Sequence, residues 1–380
     1  MSEGSERTVT ITRPARRRPT FHPLRVEAVD RLTDDAVAIT FAVPPELREA
    51  FAFQAGQHLT VRRFEGSEDV RRSYSICSTP GELERTGRLR IGVKQIPGGA
   101  FSRYAAEILR TGDTVDVMPP LGHFTTAFDP QRQRQRRYGA VAAGSGITPV
   151  LSLVATALET EPASTFTVLY GNRYARSVMF IEELADLKDR YPARLQVIHV
   201  LSREPQEAEL LSGRIDAGRL GRLLDMLVPP GIDEWFLCGP YELVEDARGV
   251  LADRGVADRQ VHTELFHVSA VPARPTGTAA SAVQPAAGPA TQVTILVDGR
   301  ASSFEMRPDE RVLDAALKVR SELPYSCKGG VCSTCRAKVV EGEVRMAANW
   351  ALEPDEVAAG YVLTCQSSPT TERLVIDYDA

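Results

Sequence analysis

From Phe21 to Pro119 apolar and polar positions alternate in short runs, Ala36–Phe41, His58–Val61, Arg72–Ile76 and Leu89–Val93 among them, each closed off by turn residues. A period of two marks half-buried strands, and several short ones in succession predict a small antiparallel β-barrel over 21–130. The polar, basic stretch Asp129–Arg137 ends that pattern. Beyond it, Tyr138–Ala143, Phe166–Tyr170, Leu195–Leu201, Glu234–Cys238 and Gln260–Phe266 read as strands separated by helical segments. The first helix spans Thr148–Glu159, with Pro149 near its start, where a missing N–H costs nothing. This alternation predicts an α/β unit with a doubly wound parallel sheet over 137–267.

Two stretches carry no apolar period. Residues 1–20 read as a flexible tail, and 268–290, rich in Ala, Pro, Thr and Gly, as a flexible linker. A further compact unit occupies 291–380. Val293–Val297 and Ser303–Met306 can pair as a hairpin around Asp298-Gly299, and a helix follows over Arg311–Arg320. The chain is therefore multidomain, as 380 residues already suggest.

Composition narrows the classes. A hydrophobic fraction of 43% with 25% charged residues is that of a soluble globular protein. The formal charge of −5 argues against nucleic acid as the main partner, which favours a strongly basic face. Residues 291–380 hold ten basic and fourteen acidic residues, so the acidity is concentrated in the last unit. Such a domain can dock on a basic partner, although a solvated acidic face is the commoner reason for the bias. No run of apolar residues is long enough to span a membrane, and the basic N-terminal stretch has no apolar core of a secretory signal. Cys77 and Cys238 stand alone while four cysteines cluster near the C-terminus. That distribution predicts a cytoplasmic protein with a metal site rather than a disulfide framework.

The cysteine cluster is the most specific signal. Cys327 and Cys332 are separated by four residues, Cys332 and Cys335 by two, and Cys335 and Cys365 by 29. This is the C-x4-C-x2-C…C spacing that holds a [2Fe–2S] cluster, three thiolates coming from one tight loop. Gly329 and Gly330 let backbone amides turn toward sulfur, and Ser333 and Thr334 are small enough not to crowd it. Zinc is the rival reading, but zinc sites pair two C-x2-C knuckles or add histidine, and 291–380 contains no histidine.

Other motifs are weaker singly. Arg72-Ser73-Tyr74-Ser75 offers a guanidinium for a diphosphate, a ring for a flavin face and a hydroxyl near its reactive nitrogen; a surface strand with a core tyrosine is the equal alternative. Gly99, Phe101 and Ser102 open a helix over Ser102–Leu109, where amides can approach phosphate. Gly144-Ser145-Gly146-Ile147-Thr148-Pro149 stands at a strand-to-helix turn in the place of a dinucleotide fingerprint, with Pro where that pattern has Gly. Cys238-Gly239-Pro240 ends the fourth apolar strand; a lone cysteine there is otherwise an ordinary buried thiol. Strand Leu195–Leu201 ends at Ser202-Arg203, whose hydroxyl and guanidinium suit the 2′-phosphate of NADPH, as does Arg173 after the preceding strand. Glu204, beside them, is the kind of carboxylate an NAD site would use. A polar loop explains the same residues without a ligand.

In that order, R-x-Y-S, G-x-x-S, G-x-G-I-T-P and C-G-P resemble the ferredoxin–NADP reductase superfamily over Phe21–His267, and the last ninety residues resemble a plant-type ferredoxin of β-grasp fold. The resemblance implies FAD on the barrel, NADPH on the α/β unit and a [2Fe–2S] cluster on Cys327, Cys332, Cys335 and Cys365. It further implies that Ser75, Cys238 and Glu264 orient the rings and tune flavin protonation, with Phe266 covering the flavin. Glu264-Leu265-Phe266 matches the family's ending, although tyrosine is frequent where Phe266 stands. As a whole the chain resembles the reductase components of multicomponent oxygenases. RSYSIC at 72–77, MFIEEL at 179–184 and HVLSRE at 199–204 resemble most the reductase subunits of phenylacetyl-CoA epoxidases. An oxygenase component is then the expected electron acceptor. A reductase for a ring-hydroxylating or steroid oxygenase, a stand-alone oxidase or diaphorase, and a redox sensor are the other readings.

Overall fold

The computed structural model describes residues 20–66, 68–132, 134–266, 290–307 and 309–380. The expected tail and linker lie outside them, apart from Thr20 and Ala290. The barrel comprises β1 (His22–Thr33), β2 (Ala36–Ala42), β3 (His58–Glu65), β4 (Glu68–Ser75), β5 (Arg88–Lys94) and β6 (Thr114–Leu121), in the order β4-β3-β6-β1-β2-β5. Every pairing is antiparallel, and a bridge between Ile76 and Ile91 brings the two edge strands together. Two helices cover it, α1 (Pro80–Thr86) and α2 (Ala100–Glu107).

β2 shows how the sequence joins domains. Val37, Ile39 and Phe41 point into the barrel core, while Ala36 and Ala38 on the opposite face belong to the core of the α/β unit. Small side chains on the outer face let a helix approach the sheet closely. Gly92 on β5 serves the same contact, since a Cβ there would press on Thr148 and Phe180.

The α/β unit holds β7 (Arg137–Ala143), β8 (Thr165–Asn172), β9 (Leu195–Leu201), β10 (Glu234–Gly239) and β11 (Val261–Leu265), in the order β11-β10-β7-β8-β9 and all parallel. The apolar faces of α3 (Ile147–Thr160) and α4 (Ile181–Arg190) pack in the core on the barrel side. Those of α5 (Ala217–Leu227) and α6 (Tyr241–Asp253) build a second core on the other face, so the sheet is doubly wound. Strand order reverses at β7, which opens a crevice at the carboxyl ends of β7 and β10.

The last unit is built from α7 (Val312–Leu317), α8 (Pro354–Ala358) and seven strands: β12 (Thr291–Val297), β13 (Arg300–Met306), β14 (Arg336–Glu341), β15 (Val344–Met346), β16 (Tyr361–Leu363), β17 (Ser367–Pro369) and β18 (Arg373–Asp377). Its main sheet runs β13-β12-β18-β14-β16, with β12 and β18 parallel and the other neighbours antiparallel. The expected hairpin forms, its turn at Asp298 and Gly299 with both φ values positive.

Two helices differ from their sequence boundaries. α2 begins at Ala100 rather than Ser102, because Gly99 is the N-cap and the Ser102 hydroxyl bonds back to the Ile96 amide and the Gly99 carbonyl. The helix expected over 311–320 is regular only through Leu317; the amides of Lys318 and Val319 bond three residues back, closing it as a tighter turn.

Candidate active site

Three neighbouring strand ends meet beneath the barrel. β10 and β11 pair in register, setting Cys238 beside Glu264. β4 ends at Ser75, whose hydroxyl donates to Glu264 Oε2 at 2.9 Å. Ser75, Cys238 and Glu264 are thus brought together although 189 positions separate the ends of the set. Glu264 is enclosed, and burial pushes its carboxyl up to about 8 even though the Ser75 hydrogen bond pulls the other way. Burial, and then the neighbouring Glu264, raises the Cys238 thiol further, so it is a neutral, polarisable surface rather than a nucleophile.

His58, on β3, completes this floor. Its Nδ1 lies 3.9 Å from Glu264 Oε1, the spacing of a loose ion pair, yet burial lowers the imidazole to about 4, with His123 adding to the effect. Between about 4 and 8 both groups are uncharged, so we read a neutral pair rather than a salt bridge. Among the described residues His58 Nε2 is buried without a hydrogen-bond partner, a polar atom that a cofactor carbonyl or ring nitrogen can satisfy. A small cavity joins this floor to the last unit, with His58, Phe124 and Glu264 on one side and Val331, Cys332 and Trp350 on the other.

On β4, Tyr74 stands on Phe101 with ring centroids 5.5 Å apart, and Arg72 is exposed with one N–H on the Arg71 carbonyl. Phe101 itself is buried and supports Tyr74 from below. Ser73 corrects the sequence reading. Residues alternate across a strand, so Ser73 faces away from Arg72 and Tyr74 and donates to Ser326 of the last unit at 2.9 Å. Arg71, which the sequence reading passed over, lies on that same face, 3% exposed, bonded to Asp69 and to the Leu323 carbonyl. The Asp69, Arg71, Ser73, Ser75 periodicity was the available signal.

At the crevice of the α/β sheet, Gly144 has φ of 54° and open space beside it. Gly146 has a packing reason instead: a Cβ there would collide with the Cys238 carbonyl, so the turn can close against β10 only with glycine. Thr148 and Pro149 are buried; Thr148 packs against Gly92 of the barrel, and its hydroxyl donates to the Ser145 carbonyl across the turn. Gly239 and Pro240 cap β10 just before α6, and Phe266 follows β11, 37% exposed. Farther along the edge, the Ser202 and Arg203 amides bond to the Asn172 and Arg173 carbonyls at 2.8 and 2.9 Å. Arg173 and Arg203 thus stand on adjoining backbone segments, both exposed, and among the described residues neither guanidinium is paired. The Glu204 carboxylate accepts the Ala175 amide at 2.8 Å, which occupies it.

In the last unit the four thiols meet as two pairs, Cys327 with Cys332 and Cys335 with Cys365. Within each pair the shared hydrogen bond lowers one thiol, Cys327 or Cys365, and raises the other. Amides of Gly329 and Val331 point at the Cys327 sulfur and that of Gly330 at Cys365. Lys328, Gly330 and Ser333 take positive φ to make this turn. Two thiol pairs ringed by inward N–H groups fit a binuclear, negatively charged [2Fe–2S] cluster better than a single zinc ion.

The geometry agrees with three comparisons. Family models described as an oxidoreductase FAD-binding domain, an oxidoreductase NAD-binding domain and a 2Fe-2S iron-sulfur cluster binding domain match residues 23–126, 140–249 and 295–370. One of the subunits of the 1,2-phenylacetyl-CoA epoxidase of Escherichia coli (strain K12) is 47% identical over 365 residues, covering 95% of this chain and 98% of that protein. The chain is a member of the ferredoxin–NADP reductase superfamily. Within it, the ferredoxin reductase component of a Rhodococcus rhodochrous 3-ketosteroid-9-alpha-monooxygenase is 34% identical, covering 93% of this chain and 96% of that one. Phthalate dioxygenase reductase shares the three-domain fold, with a TM-score of 0.56 at 24% identity over 94% of this chain and 98% of its own. This superfamily member is an NAD(P)H-dependent oxidoreductase with FAD and a C-terminal plant-type [2Fe–2S] domain. Among the described residues no helix is long and apolar enough to cross a membrane.

Proposed function

We propose that this reductase supplies electrons from NADPH to an oxygenase component, with a phenylacetyl-CoA epoxidase as the first candidate and the cytoplasm as its place of work. One observation carries the electron-transfer reading: Cys332 lines the same small cavity as Glu264 and His58, so the cluster loop opens directly onto the floor of the flavin site. The choice of partner is supported by the near full-length likeness to the Escherichia coli epoxidase component. Six free cysteines, four gathered for a cluster, suit a reducing compartment.

When bound, the flavin couples a two-electron nicotinamide to a one-electron cluster. The chain's own residues supply the setting. Arg72 and the amides of the turn from Gly99 through Phe101 and Ser102 suit the diphosphate, and Tyr74 suits a flavin face. Glu264 holds a proton at its carboxyl up to about pH 8, and Ser75 fixes which way that carboxyl turns. Cys238, Gly239 and Pro240 floor the nicotinamide side, Gly144 leaves room for phosphate, Phe266 caps the flavin, and Phe124 and Trp350 keep water out. Arg173, Ser202 and Arg203 suit the 2′-phosphate.

The test is reconstitution. Purified holoprotein with NADPH should consume little oxygen alone and should drive turnover of an added phenylacetyl-CoA epoxidase oxygenase component. Fast oxygen consumption without that component would instead support a stand-alone oxidase.

A further inference from the structure

β4 has two working faces. Arg72 and Tyr74 lie on one, and on the other Arg71 and Ser73 meet the ferredoxin unit just before the first cysteine of its loop. Arg71 is buried, its Nε and Nη2 on the Asp69 carboxylate at 3.1 and 2.7 Å. Its Nη1 donates to the Leu323 carbonyl at 3.0 Å, and its guanidinium carbon lies 4.0 Å from the centre of the Tyr325 ring and 5.0 Å from that of Phe21. Ser73 binds Ser326. Leu323 is fully buried in the ferredoxin core, so the segment gripped by β4 runs from that core directly to Cys327. Asp69 neutralises the guanidinium from within the barrel, which leaves Nη1 and a flat face for the docking unit.

We propose that Arg71, with Ser73, is the dock that seats the cysteine loop on the flavin barrel, and that Arg71 is a positioning residue for electron transfer from flavin to cluster. The proposal rests on the flavin site assigned above to Arg72 and Tyr74. Both sets sit on consecutive residues of one strand, so the dock fixes the cluster loop relative to the flavin site to within the stiffness of a single β-strand. The step it serves has a simple balance. With both groups bound, one electron would pass from the reduced flavin to the cluster, taking it from [2Fe–2S]2+ to [2Fe–2S]+ with no bond formed; two such passages, with the oxygenase component reoxidising the cluster between them and the flavin's proton released to solvent, would return the flavin to its oxidised state. Two further contacts lie away from β4: Trp350 against Tyr241 of the α/β unit, with centroids 5.4 Å apart, and Glu356 against His123 of the barrel unit at 3.6 Å.

The holoenzyme variant Arg71→Ala tests this. Flavin and iron content, both midpoint potentials and NADPH-driven reduction of a small dye at the flavin should stay as in the parent. Single-turnover reduction of the cluster should slow on the order of tenfold or more, as a displaced reacting pair does. Small-angle scattering should show a larger radius of gyration. Tyr325→Ala should slow the same step, and the double variant should fall no further than the worse single one, since both remove one dock. Unchanged cluster reduction would overturn the proposal, as would slow transfer in a molecule that stays compact. Loss of flavin from Arg71→Ala would overturn it too, by moving Arg71 into the flavin site. Arg72→Ala separates the two readings: full flavin content there sinks the flavin assignment while the scattering result for Arg71 still stands.

Discussion

His58 shows what burial does to one titratable side chain at this site. Its pKa falls from an ordinary 6.5 to about 4 because a charged imidazole cannot be solvated there. Between those values the folded protein binds fewer protons than the unfolded chain, so His58 lowers stability as pH falls through 6.5 toward 4 and costs nothing above 6.5. Replacement by Gln should flatten the acid side of the stability curve, by an amount bounded at roughly 3 kcal/mol. Urea titrations of both proteins at pH 4.5 and 7 measure it, and equal losses on acidification would exclude His58 as a cause. At the other edge of the site, Arg203→Ala should raise KM for NADPH on the order of tenfold or more, the loss of a charge-assisted bond, and leave NADH kinetics nearly unchanged. A parent enzyme that prefers NADH would overturn that assignment. The pair Arg173 and Arg203 was legible because both follow apolar strands; that Glu204 would turn to the Ala175 amide was not, since sequence spacing says nothing of where a carboxylate points.

The cysteine loop and β4 mark the reach of a sequence reading at the scale of elements. Thiol spacing is set by the metal chemistry, so the gathering of the four thiols could be read off the chain, as could the hairpin from its Asp298-Gly299 turn. Ser73 could not be placed, because a motif read as a string puts neighbours on one side while a strand puts them on opposite faces. Arg71 stayed hidden for a related reason: its partners Leu323 and Tyr325 are 252 and 254 positions away, and no local pattern announces a docked domain. Gly146 and Thr148 carried the look of a ligand fingerprint, and each also has a packing role, Gly146 against β10 and Thr148 against Gly92 of the barrel. For the loop itself, Cys332→Ser should abolish most cluster absorbance while flavin stays bound and reducible, because Cys332, the proposed ligand, lines the cavity and the proposed flavin residues belong to other domains. A normal cluster spectrum in that variant would exclude Cys332 as a ligand.

At the scale of the whole molecule the cores say which parts stand or fall together. Ala36, Ala38, Cys77 and Phe124 of the barrel share one continuous core with α3 and β7 of the α/β unit, so those two domains form a single cooperative block. The ferredoxin unit has its own core around Val293, Ile295, Leu313, Leu363 and Ile376, and it meets the rest through Arg71, Ser73, the His123–Glu356 pair and Trp350. Polar and single-side-chain contacts of that kind resemble a transient interface more than a divided core. We therefore propose a division at 268–290, with 21–267 unfolding as one unit and 291–380 as another. Proteolysis confined to 271–290 should give two pieces, each with a sharp thermal transition, flavin in the larger and cluster in the smaller. Internal electron transfer should then depend on protein concentration, because the dock has become bimolecular. Two separate transitions within the larger piece would contradict the shared core, and loss of both transitions after one cut would show that the interface is integral to folding.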